Sequence, residues 1–287
     1  MIKVIINADD LGKSLEVNNQ IGFALSNGYI TSSTILANSQ FWPEIHKIVD
    51  GNPQASFGVH LNLSDGDALT NNEIFKKYGI VDDSNKFTRV ILKLVKKDNI
   101  PDDLLEAIYA EWDRQIDKVI NEENIKITHL DGHHHIHQNY QLSDILYRLI
   151  FKYNIKIIRR KYSYPTKQSI SLFSKILEKI TTERVYCWVK RSRIKNNFIS
   201  LLQKYMETIL WQRKFVEFYI SDYFDSYEHF VSQLKVGYKS PNNIVVELMC
   251  HPGHKKYEEE YQMIRSKILQ KYLPDATLIS YRNMNVE

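Results

Sequence analysis

Four polar clusters interrupt or follow apolar, strand-like runs, and each contains side chains that could do chemistry. In Asn7-Ala8-Asp9-Asp10 two adjacent carboxylates follow a short apolar stretch. Such neighbours repel, so holding both ionised at one point requires a cation or a shared proton. In Gly58-Val59-His60-Leu61-Asn62-Leu63 a single imidazole stands inside an apolar strand pattern. In Thr128-His129-Leu130-Asp131-Gly132-His133-His134-His135-Ile136-His137, five of the ten histidines fall between positions 129 and 137. If this stretch is extended, Asp131, His133, His135 and His137 share one side and His134 takes the other. Imidazoles on one face suit a metal ion, and a carboxylate beside them can fix a ring tautomer. The fourth cluster is Val245-Val246-Glu247-Leu248-Met249-Cys250-His251-Pro252-Gly253. There a strand would end on His251, and Pro-Gly would turn the chain at once.

Each cluster also has an ordinary reading. Paired aspartates cap helices, a strand histidine can be a satisfied core residue, and a His-rich loop can simply be solvated. What favours chemistry is the elements that must position them. Residues 3–8 read as a strand covered on both faces. Residues 15–27 carry Val17, Ile21, Ala24 and Leu25 at helical spacing, with Gly28 at the C-cap position. Strands are expected over 29–37, 56–63, 126–131, 155–159 and 243–250. Helices are expected over 41–50, 102–121, 141–153 and 258–271. Strands alternating with helices predict a parallel α/β sheet or barrel. All four clusters then fall at strand carboxyl ends, where α/β barrels build their sites. Residues 161–217 break the alternation. They read as a mostly helical, basic elaboration of a single domain, with eight Lys/Arg between 184 and 214 against Glu207 alone.

Composition narrows the class. The chain has 287 residues, 43% hydrophobic and 25% charged, with a net charge of +4. These proportions fit a globular protein and exclude disorder and collagen. The charge is too mild to imply nucleic acid by itself. Two cysteines, Cys187 and Cys250, suit a reducing compartment rather than a disulfide framework. No secretory signal and no transmembrane run is read, so the expectation is a cytoplasmic protein with no membrane partner.

The motifs, in this order, resemble the YdjC-like carbohydrate deacetylase family, which includes the chitooligosaccharide deacetylases. The resemblance lies in Asn7–Gly12 as the run Asn-Ala-Asp-Asp-Leu-Gly, in Gly28-Tyr29-Ile30-Thr31-Ser32-Ser33-Thr34, and in the three later clusters. It implies a distorted (β/α) barrel of the glycoside hydrolase/deacetylase type and removal of an acetyl group from N-acetylated sugars or oligosaccharides. It implies a divalent metal on Asp10, His60 and His133, with Asp9 as base and His251 as proton donor. Arg159 resembles a family arginine in the strand after the His cluster, which would orient Asp9 and keep it ionised if it lies near. Leu11 stands where the family commonly has Phe, and Gly132 where it often has Ser. The resemblance implies Mg2+, whereas two imidazoles and a carboxylate suit Zn2+ better.

Other readings compete. A metal-dependent hydrolase of another amide or ester would use the same centre. A nucleic-acid-binding protein would use the basic 184–214 segment with Tyr186, Trp188, Trp211 and Arg191. A cysteine hydrolase on Cys250 is disfavoured, because Cys250 and His251 would point to opposite faces of a strand; Cys250 reads as a small core residue. His46, His229 and His254 are assigned no role. Trp42 and Tyr162 are candidates for stacking on sugar rings, and the aromatic-rich insert suggests a homodimer.

Overall fold

The computed structural model describes residues 3–96, 100–159, 179–191, 197–215, 222–224 and 245–284. Among them, seven parallel strands form one sheet: β1 (Lys3–Leu11), β2 (Ser32–Ile35), β3 (Ser56–Leu61), β4 (His129–Gly132), β5 (Asp222–Phe224), β6 (Val245–Cys250) and β7 (Thr277–Leu278). The order is β4-β3-β2-β1-β6-β5, with β7 beside the start of β1. Helices cross over between the parallel strands. The first, α1 (Leu15–Ser26), is capped by Ser14, whose hydroxyl accepts the Val17 N–H. It buries Val17, Ile21, Ala24 and Leu25, the apolar positions seen in the sequence. Next come α2 (Trp42–Gly51), α3 (Glu73–Lys77), α4 (Ile91–Leu94), α5 (Asp102–Asp117) and α6 (Ser143–Lys152). The basic section contributes α7 (Glu183–Lys190) and α8 (Asn197–Lys214), and the chain returns through α9 (Glu258–Arg265) and α10 (Ile268–Tyr272). No helix among the described residues is long and apolar enough to cross a membrane.

Alternation along β1 separates two interiors. Val4, Ile6 and Ala8 join the large core between sheet and helices, whereas Ile5 joins Ile157 and Tyr281 in a small separate cluster. Asn7 and Asp9 follow Ile5 on that second face, and with them come His60, His129, Asp131, Arg159 and Glu247, all buried. Their contacts show that the sheet is curled. Ile158 bridges β4 on its outer side, so Arg159 lies four strand spacings from β1, about 19 Å if the sheet were flat. Yet its guanidinium touches Asp9 on β1 and Glu247 on β6. The polar residues therefore line the inside of a barrel-like curl, plugged at one end by Ile5, Ile157 and Tyr281.

Several boundaries differ from expectation. The strand expected over 29–37 is only Ser32–Ile35. The strand expected over 155–159 pairs through a single bridge at Ile158. The helix expected over 258–271 is two helices, broken where Lys267 takes φ +54°. The His-rich window is extended only over His129–Gly132, as β4. After Gly132 it tightens into a 3-10 turn, His133–Gln138, with His134 and His135 at φ +53° and +55°. These left-handed residues end the alternation that would have placed His133, His135 and His137 on one face. Residues 161–178, 192–196 and 216–217 of the elaboration, with Tyr162, and His229 lie outside the described residues.

Gly58 shows how tightly the interior is packed. A β-carbon there would meet the His129 carbonyl oxygen at 2.6 Å and the His129 ring at 2.7 Å. Gly58→Ala is expected to destabilise the fold by about 1–3 kcal/mol through this overpacking. Urea unfolding of the two proteins checks this, and equal midpoints would contradict it.

Candidate metal centre

The centre begins with an irregularity in β1. In a regular strand Asp9 and Asp10 would point to opposite faces. Here Asp10 has φ +71°, and the pairing of β1 with β2 shifts between Ala8 and Leu11. A left-handed non-glycine residue costs on the order of 1–2 kcal/mol. In return, both carboxylates lie at the same end of the curl, each in its own surroundings.

Asp9 is held by Arg159. The guanidinium donates Nη1 to Oδ2 at 2.7 Å and Nη2 to Oδ1 at 2.6 Å, a bidentate fork. Asn7 adds a third bond to Oδ1 at 2.9 Å. Burial pushes the Asp9 carboxyl up, but the Arg159 charge and hydrogen bonds outweigh it and hold Asp9 well below the usual carboxylate range. The same guanidinium reaches Asp131 at 2.8 Å and, through Nε, Glu247 at 2.9 Å. One cation thus serves three buried carboxyls. Glu247 is pushed up to about 7, first by burial and then, against the pull of Arg159, by Asp131.

Asp10 faces histidines instead. Its Oδ1 lies 2.9 Å from His133 Nδ1 and 3.4 Å from His60 Nε2. Asp10, His60 and His133 each offer a ligand atom within 4.8 Å of the others. Behind His60, Asp131 sits 2.7 Å from Nδ1, and Thr34 donates to the other Asp131 oxygen at 2.9 Å. This carboxylate makes Nδ1 the N–H nitrogen and leaves the Nε2 lone pair facing Asp10.

The donor set fits a divalent cation on the structure's own terms. Asp10 Oδ1, the oxygen that both imidazoles face, is buried without a hydrogen-bond partner. The local field is negative: burial depresses His133, but Asp10 and Asp65 raise it to about 9. Burial raises Asp10, and contacts from His133 and His254 bring it well below its ordinary value. Uncompensated buried charge is costly, so a cation shared by one carboxylate and two imidazoles would relieve this site. A second group, Asp9, His60 and Asp131, is also close enough, but Arg159 already occupies both of its carboxylates.

The rim is built by the loop after β6. His251 lies 3.6 Å, through Nδ1, from Glu260 of α9 and stacks on Tyr257. His254 reaches Asp10 Oδ2 through Nε2 at 3.1 Å. Lys13 bridges Asp10 at 3.5 Å and Asp65 at 2.8 Å, and Asp65 lies 3.6 Å from His133.

A model of the YdjC-like protein family matches residues 3–275. The chain belongs to the YdjC-like family. Two curated relatives carry the name carbohydrate deacetylase. The one from Halalkalibacterium halodurans is 31% identical over 156 residues, which is 54% of this chain and 63% of that protein. The one from Thermoanaerobacter pseudethanolicus is 29% identical over 154 residues, 54% of this chain and 59% of that protein. The match thus spans about three fifths of these relatives. A crystal structure from Enterococcus faecalis V583, described as a cellobiose-phosphate cleavage protein, shares the fold. Its TM-score is 0.65 at 21% identity, over 98% of this chain and 97% of the other.

In this YdjC-like chain the structure brings Asp9, Asp10, His60, His133 and Arg159 into one contact network and sets His251 on its rim. His135, half-buried, and His137, fully buried, are held in the turn and neutral, His135 pushed down to about 3 by desolvation and then by Arg159. His254, assigned no role from sequence, touches Asp10. Asp65, Lys13 and Glu260 also went unread, and Thr34 and Glu247 lay within quoted motifs without being given a role. Of these, only Glu247 carried a signal, a carboxylate in an apolar strand. Cys250 is buried with a thiol pushed well up by burial, and it donates to the Asn7 carbonyl at 3.4 Å, as a core residue should. Trp42 packs against His46 and Lys118.

Arg159→Ala would leave three buried carboxyls without their cation. A loss of about 3–5 kcal/mol is expected in urea unfolding at neutral pH. Asp9 and Asp10 have native pKa values below their unfolded ones. Their contribution is therefore present above about pH 4 and is lost as pH falls through the native values. An acid-unfolding midpoint unchanged in Asp9→Asn would contradict this.

Proposed function

We propose that this protein is a metal-dependent deacetylase of N-acetylated sugars or oligosaccharides. The observation that carries the reading is the convergence of His60 Nε2 and His133 Nδ1, at 3.4 and 2.9 Å, on Asp10 Oδ1, one residue from an Arg159-held Asp9. The carbohydrate deacetylase relatives support the sugar and the acetyl group. The metal ligands would be Asp10, His60 and His133. A divalent ion held there polarises an acyl carbonyl and makes water a better nucleophile. Mg2+ is the first choice from the family, and Zn2+ is favoured by the ligand types.

The chain's own residues supply the rest. Asp9 accepts the proton of the attacking water. Arg159 keeps Asp9 ionised and fixes both its oxygens, at some cost in basicity. His251 donates a proton to the departing sugar nitrogen, so that an amine leaves rather than an amide anion. Burial lowers the His251 pKa, but Glu260, Asp9 and Asp10 raise it above the ordinary histidine value, which favours the proton-bearing form the step needs. Among the described residues of the basic section, the aromatics Tyr186 and Trp211 are buried and Trp188 is 75% exposed.

Asp9→Asn and His251→Ala are each expected to lower kcat by about 10²–10⁴-fold while metal content stays near normal. Asp10→Asn and His133→Ala should release the metal. Acetate release from a panel of N-acetylated sugars, with and without chelator, tests the activity. Elemental analysis of protein purified without added metal tests the ion. Chelator-insensitive acetate release, or full metal content in Asp10→Asn, would overturn the reading; acetate released only from other amides or esters would replace the sugar.

A further inference from the structure

Helix α9 opens with Glu258, Glu259 and Glu260. Acidic side chains in a first turn are usual, because the helix dipole favours them. Glu258 and Glu259 fit that account, since both are exposed. Glu260 does not, since it is turned inward and only 5% exposed. Burying a carboxylate is costly unless it is paired. Among the described residues its ion-pair partner is His251: Glu260 Oε2 accepts the His251 backbone N–H at 2.9 Å and lies 3.6 Å from Nδ1. That nitrogen has no hydrogen-bond partner among the described residues, so the contact is an ion pair rather than a hydrogen bond. On its flat side the ring is held by Tyr257, with centroids 4.3 Å apart and planes 19° apart.

We propose that Glu260 is the positioning residue for the His251 proton donor: its carboxylate anchors the backbone and Nδ1 side of His251, keeps the ring protonated and leaves Nε2 for the leaving nitrogen. This rests on the acid role given to His251 above. The groups facing His251 are Asp9 and Asp10 from β1, His135 from the turn after β4, His254 and Tyr257 from its own loop, and Glu260 from α9. Asp9 is committed to Arg159, and Asp10 faces His60, His133 and His254. That leaves Glu260 as the carboxylate committed to His251.

The test is an NMR titration of histidine-labelled, as-purified full-length protein, with the His251 signal assigned by its loss in His251→Gln. Glu260→Gln keeps an oxygen for the backbone N–H but removes the charge. The His251 midpoint is expected to fall by about 1–2 pH units. The alkaline limb of kcat on an acetylated sugar should fall with it, KM staying unchanged. Glu260→Asp, which keeps the charge but withdraws it, should move the midpoint the same way by less. This second variant decides the matter if Glu260→Gln does not fold. A His251 midpoint that neither variant moves overturns the proposal. If the wild-type protein releases no acetate, the deacetylase reading fails, and the midpoint still reports on the Glu260–His251 pair.

Discussion

The buried guanidinium of Arg159 is the interaction on which the interior depends. It enters from the segment outside β4, crosses the inside of the curled sheet, and binds Asp9, Asp131 and Glu247 at once. A barrel interior is ordinarily filled with branched apolar side chains. Here only the layer of Ile5, Ile157 and Tyr281 is of that kind. Above it, charge balance takes the place of packing. The chain of contacts then runs outward, from Arg159 to Asp131, from Asp131 to His60, and from His60 to Asp10. The orientation of the His60 imidazole is therefore set by a residue on another segment, two contacts away.

The helical section is tied to this interior. Trp211 of α8 is fully buried and donates its indole N–H to the His137 carbonyl at 3.3 Å. Tyr186 of α7 meets the ring of Tyr140, just after the His-rich turn. Its two described helices thus brace the turn that carries His133. Basic residues dominate its sequence, and among its described aromatics Tyr186, Trp211 and Phe215 face inward and Trp188 faces outward.

The motif residues were legible because carboxylates and imidazoles stand out against apolar strands, and because strand carboxyl ends converge in a parallel sheet. Asp10, His60 and His133 could be named on that ground together with a family resemblance. Arg159 was also nameable, but its reach to Glu247 was not, since it depends on how far the sheet curls. The turn at 133–138 was not legible, because nothing in a run of histidines announces left-handed backbone at His134 and His135. His254 was passed over because a Pro-Gly turn fixes where the chain bends, not which surface it bends onto. Glu260 was hidden among three consecutive glutamates whose common explanation holds for the other two.

The kink at Asp10 has one more consequence. It lets successive positions of a single backbone feed two different electrostatic compartments, one balanced by an internal arginine and one formed by a carboxylate among imidazoles. An insertion or deletion beside it would exchange the occupants of those compartments rather than merely displace them. The first strand therefore has less freedom to drift in length than any loop around the mouth of the curl.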